Sequence, residues 1–146
     1  MNVPVKDSRT ALLLGEEGVN RLKGAYVAVF GVGGVGGYVC EALVRSGVGA
    51  LDVFDKDDVS ITNLNRQIIA LHSTLGMPKV EVMRARLLDI NPKVHVTAHS
   101  LFYVPENADA IDLTAYDYVI DASYTLERRM TFDFHLRRGS DGQLYA

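Results

Sequence analysis

The chain has 146 residues, 48% of them apolar, enough for one compact domain with its own core. A formal net charge of -3 excludes nucleic-acid binding by bulk charge, so an RNA partner would need a local basic patch. One cysteine, Cys40, excludes an internal disulfide and a cysteine-based metal cluster. With no long apolar run and no apolar signal core in MNVPVKDSRT, the expected setting is the cytoplasm, without a membrane.

Asp7 or Ser8 can cap a first helix, with Leu12, Leu13, Val19 and Leu22 as its apolar stripe and Gly15 and Gly18 weakening its middle. Residues 26–30 form an apolar, β-favouring run that stops at Gly31, which predicts a buried strand. Residues 35–46 follow as a helix with Val39, Ala42 and Leu43 on one side. Residues 51–54 are a second strand stopping at Asp55, and 56–76 read as loop with short turns. Pro78 suits the first turn of a helix that Pro92 stops, with Val80, Met83, Leu87 and Ile90 as its core face. Val94, Val96 and Ala98 alternate as a third strand. Residues 105–113 are predicted as a short helix and 118–122 as a fourth strand.

Strand and helix alternate, so the fold class is α/β: a doubly wound, mainly parallel, Rossmann-like sheet with helices on both faces. Residues 1–123 are assigned to this domain. Beyond Ser123 no strand is legible, and residues 124–146 read as an atypical tail where such a sheet should continue. The expectation is a fold truncated or altered after its fourth strand.

Gly31, Gly33 and Gly36 fit G-x-G-x-x-G between a strand and a helix. The first permits the turn, the second admits a phosphate close to backbone, and the third lets helix pack on strand. Asp55, ending the next strand, is placed to accept from ribose hydroxyls. An NAD site needs no more than that. Here the segment DKDDVSITNLNRQ adds Asn63, Asn65, Arg66 and Gln67 within five positions, and Lys79 follows just inside the next helix. Arg66, with its fixed fork of donors, suits a phosphate whose charge changes, and Lys79 offers a second cation. On residue type alone each cation reads equally well as a solvated surface charge. The favoured ligand is ATP.

GVGGVG, Asp55, TNLNRQ and GMPKVEVMRARLLDINP together resemble the adenylating superfamily of molybdopterin- and thiamine-pathway activating enzymes and ubiquitin-activating enzymes. SRTALLLGEEGVNRL, RSGVG and DKDDVSITNLNRQ are most similar to the tRNA threonylcarbamoyladenosine dehydratases, over about residues 8–123. The resemblance implies that Gly31, Gly33, Gly34 and Gly36 line the ATP phosphates and Asp55 holds the ribose. It places Asn63, Arg66, Gln67 and Lys79 around the triphosphate and Asp121 in the nucleotide site. Arg9 matches an arginine that in relatives reaches a partner subunit's ATP, which implies a homodimer; otherwise it is a solvated first-turn residue. Arg9, Arg66 and Lys79 are the implied catalytic cations.

The implied reaction is ATP-dependent activation of a carboxylate with Mg2+, giving an acyl-adenylate and pyrophosphate. In the dehydratases the carboxylate belongs to threonylcarbamoyladenosine in tRNA, and an internal nucleophile closes a ring as AMP leaves. The family pattern D-A-x-D-T appears here as DASYT, so Asp121 matches and Tyr124 replaces the second acid, a carried-over Mg2+ ligand. A phenol is a poor ligand for that ion, so no protein metal ligand is assigned and a catalytically impaired chain is expected. The alternative is adenylation of a ubiquitin-like sulfur carrier, which usually adds a transfer cysteine and paired CxxC zinc ligands that this chain lacks. An NAD-dependent oxidoreductase would leave Arg66 and Lys79 without a task, and a non-catalytic nucleotide-binding domain is the remaining reading. Cys40 reads as a core residue, His95 and His99 as surface residues, and Arg128, Arg129, Arg137 and Arg138 as a solvated basic tail.

Overall fold

A computed structural model describes residues 3–123. Four parallel strands, β1 (Tyr26–Phe30), β2 (Ala50–Phe54), β3 (His95–His99) and β4 (Tyr118–Asp121), lie in the order β3-β2-β1-β4. The helices are α1 (Ser8–Gly24), α2 (Gly36–Ser46) and α3 (Lys79–Ile90). The chain winds β1-β2-β3 to one side and then crosses back to lay β4 against β1, so the order reverses between β1 and β4. Ligands of open α/β sheets settle outside the strand C-termini at such a switch point.

One face of the sheet carries Val27, Val29, Leu51 and Val53, packed against Cys40 and Val44 of α2 and Met83 and Leu87 of α3. The α3 core face is the expected one. In α2 the expected Val39 and Leu43 do pack on the core, but Ala42 is exposed, and Cys40 and Val44 are the fully buried residues. Burial pushes the Cys40 thiol up to about 12, which suits a core residue. In α1, Gly15 takes φ 72° and breaks the helix into two parts. The break turns Leu12 and Leu13 to solvent, against expectation, while Ala11, Val19 and Leu22 face the protein.

The opposite face carries Ala28, Phe30 and Phe54, covered by Tyr103, Ala108 and neighbours. The helix expected at 105–113 is replaced by two 3-10 turns, Ala108–Ala110 and Leu113–Ala115. Polar side chains compete for the backbone there. Asn107 Oδ1 accepts from Val104 N at 3.0 Å, its Nδ2 donates to Phe102 O at 2.7 Å, and Asp112 Oδ1 accepts from Thr114 N at 3.0 Å. Among the described residues, therefore, α2 and α3 cover one face and an irregular crossover covers the other. The predicted tail, including Tyr124 and the four arginines, lies outside the described residues.

Glu41 joins the helices of the first face. Its carboxylate accepts from Arg86 Nε of α3 at 2.7 Å and from Arg45 Nε at 2.9 Å. The Arg86 bond, opposed by burial and joined by Arg45, holds the carboxyl below the usual carboxylate range. A depressed pKa stabilises the fold above the unfolded-state value, and the gain is lost as pH falls through the folded value. Glu41→Gln should therefore cost about 1–2 kcal/mol in urea unfolding at neutral pH, a discounted value for a partly exposed pair. The cost should shrink in acid.

Candidate nucleotide site

The glycine loop leaves β1 at the switch point. Gly31 has φ 93°, and its N–H bonds Phe54 O at 2.8 Å. A Cβ on Gly31 would stand 2.7 Å from Ala122 O at the exit of β4, and one on Gly36 would stand 1.7 Å from Gly31 O. Both positions are therefore closed to side chains, and the α2 backbone sits directly on the loop. Val35 provides no side-chain cap, and Gly37 N bonds Gly33 O at 3.1 Å; a helix N-terminus of this kind favours an anion.

Asp55 is 4% exposed. Its Oδ2 accepts from Val32 N of the glycine loop at 2.8 Å, and its Oδ1 accepts from Asp57 N at 2.9 Å. The residue expected to hold the ribose therefore also shapes the loop. Asp57 extends the chain of contacts: its carbonyl accepts from Lys79 N at 3.0 Å, and its Oδ2 lies 3.7 Å from Lys79 Nζ. An antiparallel bridge between Asp58 and Pro78, with Val59 N bonded to Met77 O at 2.9 Å, holds the two segments together. The Lys79 side chain is only 7% exposed. Of the two readings left open for this cation, solvated surface charge is excluded: a buried ammonium needs a counter-charge, and half-exposed Asp57 supplies one.

The polar segment folds onto the loop. Ser60 and Asn63 form a reciprocal cap on the turn Ile61–Asn63, with Asn63 Oδ1 accepting from Ser60 N at 2.8 Å. Asn63 is thus a framework residue before it is a ligand contact. The next turn lays Gln67 Nε2 3.6 Å from a Cβ position on Gly33, and Arg66 Cγ 3.6 Å from one on Gly34. Arg66 is exposed, and its Nη1 donates to Thr62 O and Asn65 Oδ1, each at 3.0 Å. Gln67 is buried, and its Oε1 has no hydrogen-bond partner among the described residues.

Asp121 ends β4 beside the loop, in register with Phe30. It is exposed, and its Oδ1 accepts from Ser123 N at 2.8 Å and from Ser123 Oγ. Arg9 is not brought to this site. It is exposed near the start of α1, two residues from Asp7, whose Oδ1 lies 3.9 Å from a Cβ position on Gly47. Gly47 follows the end of α2 remote from the glycine loop, about 16 Å away at 1.5 Å per helical residue.

Two features were not singled out from sequence. Asp57 was legible as the second acid of an Asp-x-Asp pair after a strand. Asp52 is a 5% exposed carboxylate inside the apolar run of β2, and its Oδ2 accepts from Tyr116 Oη at 2.7 Å and lies 3.0 Å from His99 Nε2. His99 is therefore partly buried in a polar network, not the surface residue expected. Among the described residues no cluster of His, Cys, Asp or Glu could hold a metal ion by itself.

The ThiF family pattern matches residues 7–133, and the chain belongs to that family. It is 54% identical over 119 residues to a tRNA threonylcarbamoyladenosine dehydratase of Bacillus subtilis, covering 82% of this chain and 47% of that protein. It is 44% identical over 110 residues to a sulfur carrier protein adenylyltransferase of Thermus thermophilus, covering 75% and 40% respectively. A crystal structure of the Escherichia coli tRNA N6-threonylcarbamoyladenosine dehydratase in complex with ATP matches with TM-score 0.85 and 39% identity, covering 91% of this chain and 55% of that one. The chain spans about half the length of the dehydratases it resembles.

The glycines separate into two classes that mutation should distinguish. Gly36→Ala drives a methyl group into backbone and should cost about 3 kcal/mol or more, or prevent folding. Gly34→Ala meets Arg66 at ordinary contact distance and should fold with a loss of about 1 kcal/mol or less. Thermal or urea unfolding of the two variants is the check.

Proposed function

We propose that this ThiF-family chain binds ATP and supports adenylation of a carboxylate, with threonylcarbamoyladenosine of tRNA as the substrate. The observation that carries the reading is the buried Lys79, tied through Asp57 and Asp55 to the glycine loop, with Arg66 packed over the same loop. An NAD site has no use for this pair of cations. In the proposed step a carboxylate oxygen attacks the α-phosphorus of ATP, the bond to the bridging oxygen breaks, and pyrophosphate leaves with the charge. The loop N–H groups and Lys79 would stabilise that developing charge, and Arg66 would swing from its carbonyl partners onto phosphate. Asp55 retains acceptor capacity for the ribose while holding the loop.

The acids beside the glycine loop suit Mg2+ only as outer support. Asp121 is an exposed carboxylate beside the loop with one oxygen engaged by Ser123, and Mg2+ normally keeps phosphate and water oxygens around a single carboxylate. When bound it would neutralise phosphate charge. With Tyr124 in the second acidic position, adenylation is expected to be weak in this chain. Arg9, remote from its own loop, can act only on a second copy, which supports a homodimer. No helix among the described residues is long and apolar enough to cross a membrane. The proposed site of action is the cytoplasm.

The second reading, a sulfur-carrier adenylyltransferase, is favoured by the Thermus relative. A transfer role for Cys40 is opposed by its full burial and raised pKa.

Isothermal titration should show ATP binding more tightly than NAD. Lys79→Ala and Arg66→Ala should each weaken ATP by about tenfold or more, the worth of one charge-assisted hydrogen bond. Tighter NAD binding, or ATP binding indifferent to both substitutions, would overturn the reading.

A further inference from the structure

We propose that His99 is a positioning residue for the nucleotide's ribose, acting through Asp55; the proposal rests on the ATP reading above. His99 ends β3 and is fixed on two sides. Its ring stacks on Phe54 at 4.3 Å and 6°, and Phe54 stacks on Phe30 at 4.2 Å. Its Nε2 lies 3.0 Å from Oδ2 of buried Asp52, which the Tyr116 hydroxyl also reaches at 2.7 Å. Tyr116 in turn lies against Tyr26, with ring centroids 4.7 Å apart.

The backbone of the same residue faces the site. His99 O accepts from Asp55 N at 3.2 Å and from Leu101 N at 2.9 Å. Asp55 then accepts from Val32 N of the glycine loop and from Asp57 N. The stack on Phe54 and the bond to Asp52 together hold the end of β3, and with it the carbonyl that receives Asp55 N. A carboxylate on the core side of β2 is costly. Here it anchors β3 at the point where β3 supports the ribose acceptor.

The consequence is specific to one part of the ligand. Disturbing His99 should weaken contacts made by the ribose hydroxyls and spare those made by the phosphates. The test is calorimetry with ATP and with dideoxy-ATP, which lacks both hydroxyls, on the wild type, His99→Phe and His99→Gln. Phenylalanine keeps the stack and loses the bond to Asp52, whereas glutamine keeps a donor. His99→Phe should lose about tenfold on ATP and less than about twofold on dideoxy-ATP, the pattern of two coupled groups in a mutant cycle. His99→Gln should recover most of the ATP affinity.

Equal losses on both nucleotides, or no loss on ATP, would overturn the positioning role and reduce His99 to structural packing. If His99→Phe does not fold by circular dichroism, Asp52→Leu, which removes the hydrogen-bond partner of the ring, takes its place with the same expected pattern and the same overturning results. A wild type that binds no ATP would overturn the nucleotide reading itself, and this proposal with it. That result is distinct from every outcome in which only the variants differ.

Discussion

The Asp55 carboxylate is the joint on which the rest of the site depends. One oxygen holds Val32 N of the glycine loop, and the other holds Asp57 N at the start of the polar segment. Asp57 then fixes Lys79 by a backbone hydrogen bond and an ion pair. The glycine loop, the start of the polar segment and a buried cation are therefore linked through one residue. In the proposed reading, donors held in this way and aimed at a developing charge cost no rearrangement when the charge appears.

The sheet divides its two faces between stability and placement. The face toward α2 and α3 is apolar and is clasped from outside by the Arg86–Glu41–Arg45 contacts. The other face holds a buried carboxylate, Asp52, with one oxygen satisfied by Tyr116 and His99 and the other without a hydrogen-bond partner among the described residues. Burial and the neighbouring carboxylate both push the Tyr116 hydroxyl well above its ordinary range, so it stays a neutral donor. Burying these groups costs free energy that apolar residues would not. What is obtained in return is a defined end for β3, next to the residue expected to hold the ribose.

Much of this was legible in the sequence. Period-two and apolar runs located the strands, and Gly31, Gly33 and Gly36 located the loop; at Gly31 and Gly36 only glycine fits, since a Cβ would stand 2.7 and 1.7 Å from backbone, whereas at Gly33 it would meet Gln67 Nε2 at 3.6 Å. The motif order also brought Arg66, Gln67 and Lys79 to attention, and all belong to one connected region. What could not be read was set by long-range contacts. Gly15 was seen as weak, but its φ of 72° and the exposure of Leu12 and Leu13 depend on how α1 docks. The helix expected at 105–113 lost to local side-chain bonds from Asn107 and Asp112. His99 read as surface because its partner Asp52 lies 47 residues away. The cap that the Asn63 side-chain oxygen places on its own turn was likewise not read from sequence.

The most direct measurement is urea unfolding of Asp55→Asn without nucleotide and again with saturating ATP. If Asp55 shapes the loop before ATP arrives, the variant should lose about 1–3 kcal/mol without ligand, since an amide replaces one of two acceptors for buried N–H groups. It should also lose most of the further stabilisation that ATP gives the wild type. A variant as stable as the wild type without ATP, and stabilised by ATP to the same extent, would contradict the central role given to this carboxylate.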